Sequence, residues 1–213
     1  MTAHHRPDAA TGPLRVQVLL YDGIEEQDFV GPYEVFSIAR SAARAPLTID
    51  YVTADVPRTI TAGGGTRVEV GTGWSPWDAD LLIVPGSGLT GPTRPGVELE
   101  IAKGDLPRTL AAAPRPGLVV ASVCTGALLL GAAGLTRGRR CIKNQMVKDK
   151  LAAFGGLVTE ARVVDDGDLV TCGGVTSGLD LGLHLVRRKF GADAADLVTR
   201  ILEYEPRGTV WTS

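Results

Sequence analysis

The sequence predicts an α/β fold, a three-layer sandwich whose mostly parallel, twisted sheet carries helices on both faces. Three observations point there. The runs at residues 16–21, 80–84 and 117–123 are apolar almost throughout, as suits strands buried on both faces. Segments of helical spacing alternate with such runs along the chain. The strands stop at turn-forming pairs such as Asp22-Gly23 and Pro85-Gly86.

The elements follow in order. Residues 16–21 form a buried strand, and residues 29–43 place Val30, Tyr33, Val35, Phe36 and Ile38 near helical spacing. Residues 47–53 alternate and are β-branched, which predicts a second strand. Residues 61–73 are rich in Gly and Thr, with an alternating Val68-Glu69-Val70, and suggest a hairpin or an irregular excursion. The strand at 80–84 precedes a weak helix over 97–113, expected to break near Pro107. The strand at 117–123 runs into a helix starting at Cys124. A helix follows over 147–154. A hairpin is predicted about Asp166-Gly167, with strands at 161–165 and 168–172. Helices over 179–190 and 194–204 complete the pattern.

The 213 residues suit one domain with a sizeable core. Residues 1–13 are polar, with Pro7 and Pro13, and read as a disordered tail before a single domain over 14–213. The 22 Lys and Arg against 24 Asp and Glu leave a net charge of −2, which argues against a nucleic-acid binder. No apolar run approaches the ~20 residues that span a bilayer, so no membrane role is expected. The first residues lack the apolar stretch of a secretory signal, so the expected location is cytoplasmic. The three Cys cannot all pair internally, and their spacing matches no zinc site. Gly63-Gly64-Gly65 is no phosphate loop, because no Lys-Ser/Thr follows. Neither a metal nor a cofactor is expected.

The most informative stretch is Ala121-Ser122-Val123-Cys124-Thr125-Gly126-Ala127. A buried strand ends, a Cys follows, and a helix opens with small residues. A tight strand-to-helix turn pushes the middle side chain out over the sheet edge, where ligands of open α/β sheets bind. The helix N-terminus supplies unpaired N–H groups and the positive end of its dipole. Both favour a thiolate and can hold an anionic intermediate. The competing reading is a small Cys packed under the helix. For Cys141 and Cys172 that packing reading is favoured, since neither has a helix terminus of its own.

The chain resembles the ThiJ/PfpI superfamily, which has the flavodoxin-like, class I glutamine amidotransferase-like fold. Val123-Cys124-Thr125-Gly126-Ala127 is similar to its nucleophile elbow. Glu26-Gln27-Asp28-Phe29-Val30-Gly31-Pro32 is similar to its first helix, and Ile83-Val84-Pro85-Gly86 to the strand and turn before the nucleophile. Gly173-Gly174-Val175-Thr176-Ser177-Gly178 resembles its late helix start. Within the superfamily, the isonitrile hydratases are the nearest pattern.

A Cys nucleophile usually works with a His. Many superfamily members carry one after the elbow helix, where Asn144 stands in the run Cys141-Ile142-Lys143-Asn144-Gln145. His4 and His5 fall in the tail, and His184 sits in an apolar helical stretch, where a satisfied helix-face role is the plainer one. The resemblance instead places Asp28 beside Cys124. A carboxyl group beside a thiolate in a dry pocket has a raised pKa and can serve as a general acid. The competing reading of Asp28 is a dipole partner at the helix start, alongside Glu25 and Glu26.

The resemblance implies substrate or oxyanion donors at Thr125, Gly126, Gly86 and Ser87. It leaves Asn144 and Thr176 as pocket candidates, with Thr176 and Asp180 also open to capping the late helix. Trp74 and Trp77 are open to two roles, pocket lining or subunit contact. The implied activity is hydration of an isonitrile to an N-substituted formamide, through a thioimidate on Cys124 with Asp28 as acid. Two alternatives stand beside it: a related Cys/acid lyase or hydrolase acting on a natural-product intermediate, and a non-enzymatic redox sensor using Cys124. The implied partners are a small-molecule substrate and a second copy of the chain, as a homodimer.

Overall fold

The runs predicted as buried strands from their continuous apolar residues all lie in one sheet. The computed structural model describes residues 12–142 and 148–213. Residues 1–11, with His4 and His5, and the segment with Lys143, Asn144 and Gln145 lie outside the described residues.

The central sheet has seven strands, in chain order β1 (Leu14–Leu19), β2 (Leu47–Val52), β5 (Leu81–Val84), β6 (Val119–Ser122), β9 (Val163–Asp165), β10 (Leu169–Cys172) and β11 (Val210–Thr212). Their spatial order is β11-β9-β10-β6-β5-β1-β2. Pairing is parallel from β2 to β10, in the register Leu14↔Leu47, Val16↔Leu81, Leu81↔Val119 and Leu169↔Val120. The β9–β10 pair is antiparallel, as the Asp166-Gly167 turn predicts, and β11 extends that edge parallel to β9. All four residues of β5, β6 and β10 are buried. Each large aliphatic side chain so placed gains about 1.5–3 kcal/mol from leaving water.

Helices α1 (Glu26–Ser41), α6 (Ser177–Phe190) and α7 (Ala192–Ile201) pack together. Helices α2 (Val97–Lys103), α3 (Asp105–Ala111), α4 (Gly126–Ala132) and α5 (Lys148–Ala153) form the second group. Phe29 and Tyr33 of α1 meet Tyr51 of β2, edge-on at 5.6 Å and stacked at 4.3 Å.

Several boundaries differ from the sequence expectation. Helix α1 starts at Glu26 rather than Phe29, because Glu25 is extended and its carbonyl already accepts the Asp28 N–H. The expected 97–113 helix breaks at Gly104, whose φ of 79° is left-handed, and not at Pro107. Pro107 falls in the first turn of α3, where a missing N–H costs nothing. The hairpin expected over 61–73 is built from β3 (Arg58–Thr61) and β4 (Arg67–Val70) as a separate antiparallel pair. Two-residue strands β7 (Arg140–Cys141) and β8 (Leu157–Val158), and the edge strand β11, carry too little pattern to be legible.

The parallel strands align their C-terminal ends along one sheet edge. Tyr21 after β1, Pro85 to Ser87 after β5, Val123 to Thr125 after β6, and Gly173 after β10 therefore converge.

Candidate active site

Cys124 occupies the turn between β6 and α4 with φ 57°, a left-handed conformation that costs a non-glycine residue about 1–2 kcal/mol. Two long-range bonds hold it there. The Val123 N–H donates to Val84 O at 3.1 Å, and the Cys124 N–H donates to Gly173 O at 2.9 Å. The turn is thus tied to both neighbouring strands. Helix α4 begins at Gly126, two residues later than expected, because Cys124 itself is not helical. A side chain at 126 would place a Cβ 2.2 Å from Val84 O, so glycine lets α4 lie against β5. Cys124 is 3 % exposed.

Asp28 reaches the same point from the first turn of α1. It is wholly buried, and its Oδ2 accepts the Gly86 N–H at 2.9 Å. Its Oδ1 is buried without an N–H or O–H donor among the described residues. Burial raises the carboxyl pKa from 3.8 to about 7. The Gly86 bond opposes that shift, the Glu25 charge adds to it, and hydrogen bonding with the Cys124 side chain opposes it. The site therefore holds a carboxyl that is partly protonated at neutral pH next to a thiol.

The backbone donors expected to face a substrate are largely engaged. Gly86 N–H serves Asp28, and Ser87 N–H donates to Thr125 Oγ1 at 2.8 Å. The Thr125 hydroxyl returns a bond to Ser87 O at 2.8 Å. This reciprocal pair ties the loop after β5 to the start of α4. Gly126 N–H closes onto Val123 O at 2.9 Å. The Thr125 N–H has no acceptor among the described residues. Gly86 sits so close that a Cβ there would meet Thr125 Oγ1 at 2.4 Å and Thr125 N at 2.6 Å.

Thr176 precedes α6 and makes no side-chain cap. Its Oγ1 accepts Arg162 Nη2 at 2.9 Å. Asp180 likewise holds Arg162 Nε at 2.6 Å, Tyr204 Oη at 2.8 Å and the Arg207 N–H at 2.9 Å, so it fastens the chain's end to α6 rather than capping the helix. Val175 is also left-handed, at φ 33°, so both turns meeting at the Cys124–Gly173 bond are strained. Asn144 lies outside the described residues.

His184 lies about two turns along α6, away from this edge. Its Nε2 is 2.7 Å from Asp165 Oδ2, and Arg188 Nη1 reaches the same carboxylate at 3.0 Å. Burial pushes the Asp165 pKa up, but the His184 bond and the other partners outweigh it and hold the carboxyl below its usual range. Trp74 is buried and Trp77 is exposed, with Arg115 over its ring at 5.5 Å. Among the described residues no group of three His, Cys, Asp or Glu is placed to hold a metal ion.

Two further neighbours join the pair: Cys172, read from sequence as a packed cysteine, and Tyr21, which was not singled out. Cys172 ends β10, directly beside β6. Burial drives its pKa well up, and the charges of Asp28 and Cys124 act in the same direction. Tyr21, buried after β1, donates from its hydroxyl to Pro85 O at 2.8 Å. Burial, then Asp28, Cys124 and Glu100, push its pKa well up too. The available signal was position: both residues end strands bound for the same sheet edge.

Residues 14–188 match the DJ-1/PfpI family. An isonitrile hydratase of Pseudomonas putida is 35 % identical over 195 residues, covering 91 % of this chain and 79 % of that protein. A DJ-1 homolog A of Arabidopsis thaliana is 33 % identical, over 60 % of this chain and 31 % of that protein. A ThiJ/PfpI family protein from Pseudomonas syringae superposes with a TM-score of 0.77 at 28 % identity, covering 96 % of this chain and 84 % of that one.

Proposed function

The chain belongs to the DJ-1/PfpI family, and from that premise we propose that it is a cofactor-free enzyme of the isonitrile hydratase type. The observation that carries this reading is the buried Asp28 carboxyl beside Cys124, held near neutrality by desolvation. The chemistry needs one nucleophile and one acid, and the pair supplies both without a histidine.

In this reading the Cys124 thiolate attacks the terminal carbon of R–N≡C and forms a C–S bond. Protonated Asp28 delivers its proton to that carbon and leaves a thioimidate, R–N=CH–S–Cys124. Water adds across the C=N bond, its OH to carbon and its proton to nitrogen. Loss of the hydroxyl proton to the Asp28 carboxylate expels the thiolate and releases R–NH–CHO. The sum is R–NC plus H₂O, with Cys124 and Asp28 restored. The Thr125 N–H is proposed as a backbone donor to the substrate. The proposed working form is a homodimer in the cytoplasm, acting on a small molecule and not on nucleic acid or membrane. No helix among the described residues is long and apolar enough to cross a bilayer.

The test is turnover of p-nitrophenyl isocyanide by the wild type and by Cys124→Ala, with intact-mass detection of an adduct on Cys124. Loss of turnover in the variant supports the reading, and full activity in it sinks the reading. Stoichiometric peroxide oxidation of Cys124 with no turnover of any isonitrile favours the redox sensor instead.

A further inference from the structure

Tyr21 and Asp28 are joined through a single peptide unit. The Tyr21 hydroxyl donates to Pro85 O at 2.8 Å. The N–H of that same peptide belongs to Gly86, and it donates to Asp28 Oδ2 at 2.9 Å. The far side of Gly86 is fixed as well, since its carbonyl accepts the Glu25 N–H at 2.9 Å. The strip from Pro85 to Gly86 thus hangs between β1 and the first turn of α1.

We propose that Tyr21 is a positioning residue for Asp28, acting through the Pro85–Gly86 peptide: its O–H both fixes the plane of that peptide and strengthens the Gly86 N–H as a donor to the carboxylate. Hydrogen bonds in series polarise one another. A donor on the carbonyl shifts electron density toward oxygen and leaves the amide proton more positive. The buried hydroxyl is otherwise unexplained, because a phenylalanine would fill an apolar strand end equally well. Pro85 suits the relay, having no N–H of its own to compete for the surrounding acceptors.

The charged and titratable groups facing the pair come from several elements. Glu25 acts on Asp28 from the start of α1, and Cys124 acts from the β6–α4 turn. Cys172 faces Asp28 and Cys124 from the end of β10. Glu100 of α2 acts on Tyr21. A change confined to the Tyr21 hydroxyl leaves each of these groups in place and so isolates the relay.

The link from this relay to turnover rests on the reading of Asp28 as the acid, whereas the relay itself does not. The experiment is therefore a titration. In full-length protein with ¹³C-labelled aspartate, the Asp28 carboxyl resonance, assigned by Asp28→Asn, is followed against pH. Tyr21→Phe is expected to move its midpoint up by roughly 0.2–0.6 pH unit, as the weakened donor favours the carboxylate less. 3-Fluorotyrosine at position 21, a stronger donor, is expected to move it down. A midpoint unmoved in both variants, or moved in the same direction by both, overturns the proposal. Should Tyr21→Phe not fold, the fluorotyrosine protein decides alone, and a midpoint that does not fall overturns the proposal. The expected shifts in a protein that turns over no isonitrile would leave the relay standing and remove the proposed function.

Discussion

Asp28 Oδ2 and the Gly86 N–H meet at 2.9 Å although their residues stand 58 positions apart in the chain. The bond joins the first helix to the loop after β5 and fixes the carboxyl against Cys124. It also holds the charged form of a group that burial drives toward neutrality. The two effects oppose each other, and desolvation is the larger.

Asp28 should leave a mark on stability against pH. Its folded pKa of about 7 lies above the ordinary 3.8, so the folded state binds the proton more tightly than the unfolded chain. Stability through this group is therefore full below about pH 4 and is lost as pH rises through about 7. Asp28→Asn removes that slope. The variant should match the wild type near pH 4 and exceed it at pH 8 by on the order of 1–4 kcal/mol, read from urea midpoints. Its isonitrile turnover should fall at least ~10²-fold. Parallel stability curves for the two proteins would contradict the buried, protonated carboxyl.

Thr125 should matter chiefly through Ser87. Thr125→Val keeps the shape but leaves the buried Ser87 N–H and C=O without partners. The expected cost is about 2–4 kcal/mol in chemical denaturation. Thr125→Ser retains the hydroxyl and should cost under about 1.5 kcal/mol. Equal losses in the two variants would show that the methyl group, not the reciprocal bond, holds the loop.

Gly86→Ala should both destabilise and impair. The added Cβ meets the Thr125 hydroxyl and amide, neither of which can yield without moving α4. Overpacking of this kind costs about 1–3 kcal/mol. The displaced peptide also releases Asp28, so turnover should fall at least ~10-fold. Thermal melting and steady-state kinetics read the two effects separately.

His184 should be dispensable for chemistry and costly to remove. His184→Ala breaks the 2.7 Å bond to Asp165 and leaves that buried carboxylate to Arg188 and the Gly167 N–H. The expected loss is about 1–3 kcal/mol of stability, with turnover within about twofold of the wild type. A collapse of turnover in a folded, stable His184→Ala would point to a histidine in the mechanism.

The fold was legible where local pattern is strong. Continuous apolar runs marked β1, β5 and β6, and Asp166-Gly167 marked the β9–β10 hairpin. Short pieces such as β7 and β8 have no period to detect, and β11 exists only because β9 offers it an edge. In the site, the Ser122-Val123-Cys124-Thr125-Gly126 stretch identified the turn by itself. Asp28 came from resemblance, since an acid at a helix start has a plainer dipole role. Cys172 was read as a packed cysteine because it has no helix terminus of its own, and the pairing of β10 with β6 that brings it to the site is a long-range one.

The sequence by itself determined a parallel α/β sheet and a cysteine at a strand-to-helix turn. Each follows from residue types and spacing within one element. The tertiary structure decided which groups are already committed. Gly86 and Ser87, expected to face the substrate, instead donate to Asp28 and Thr125, and Tyr21 enters the site through Pro85. These bonds span 58, 38 and 64 positions. They depend on the order in which strands are laid into the sheet, and chain-local patterns of polarity do not encode that order.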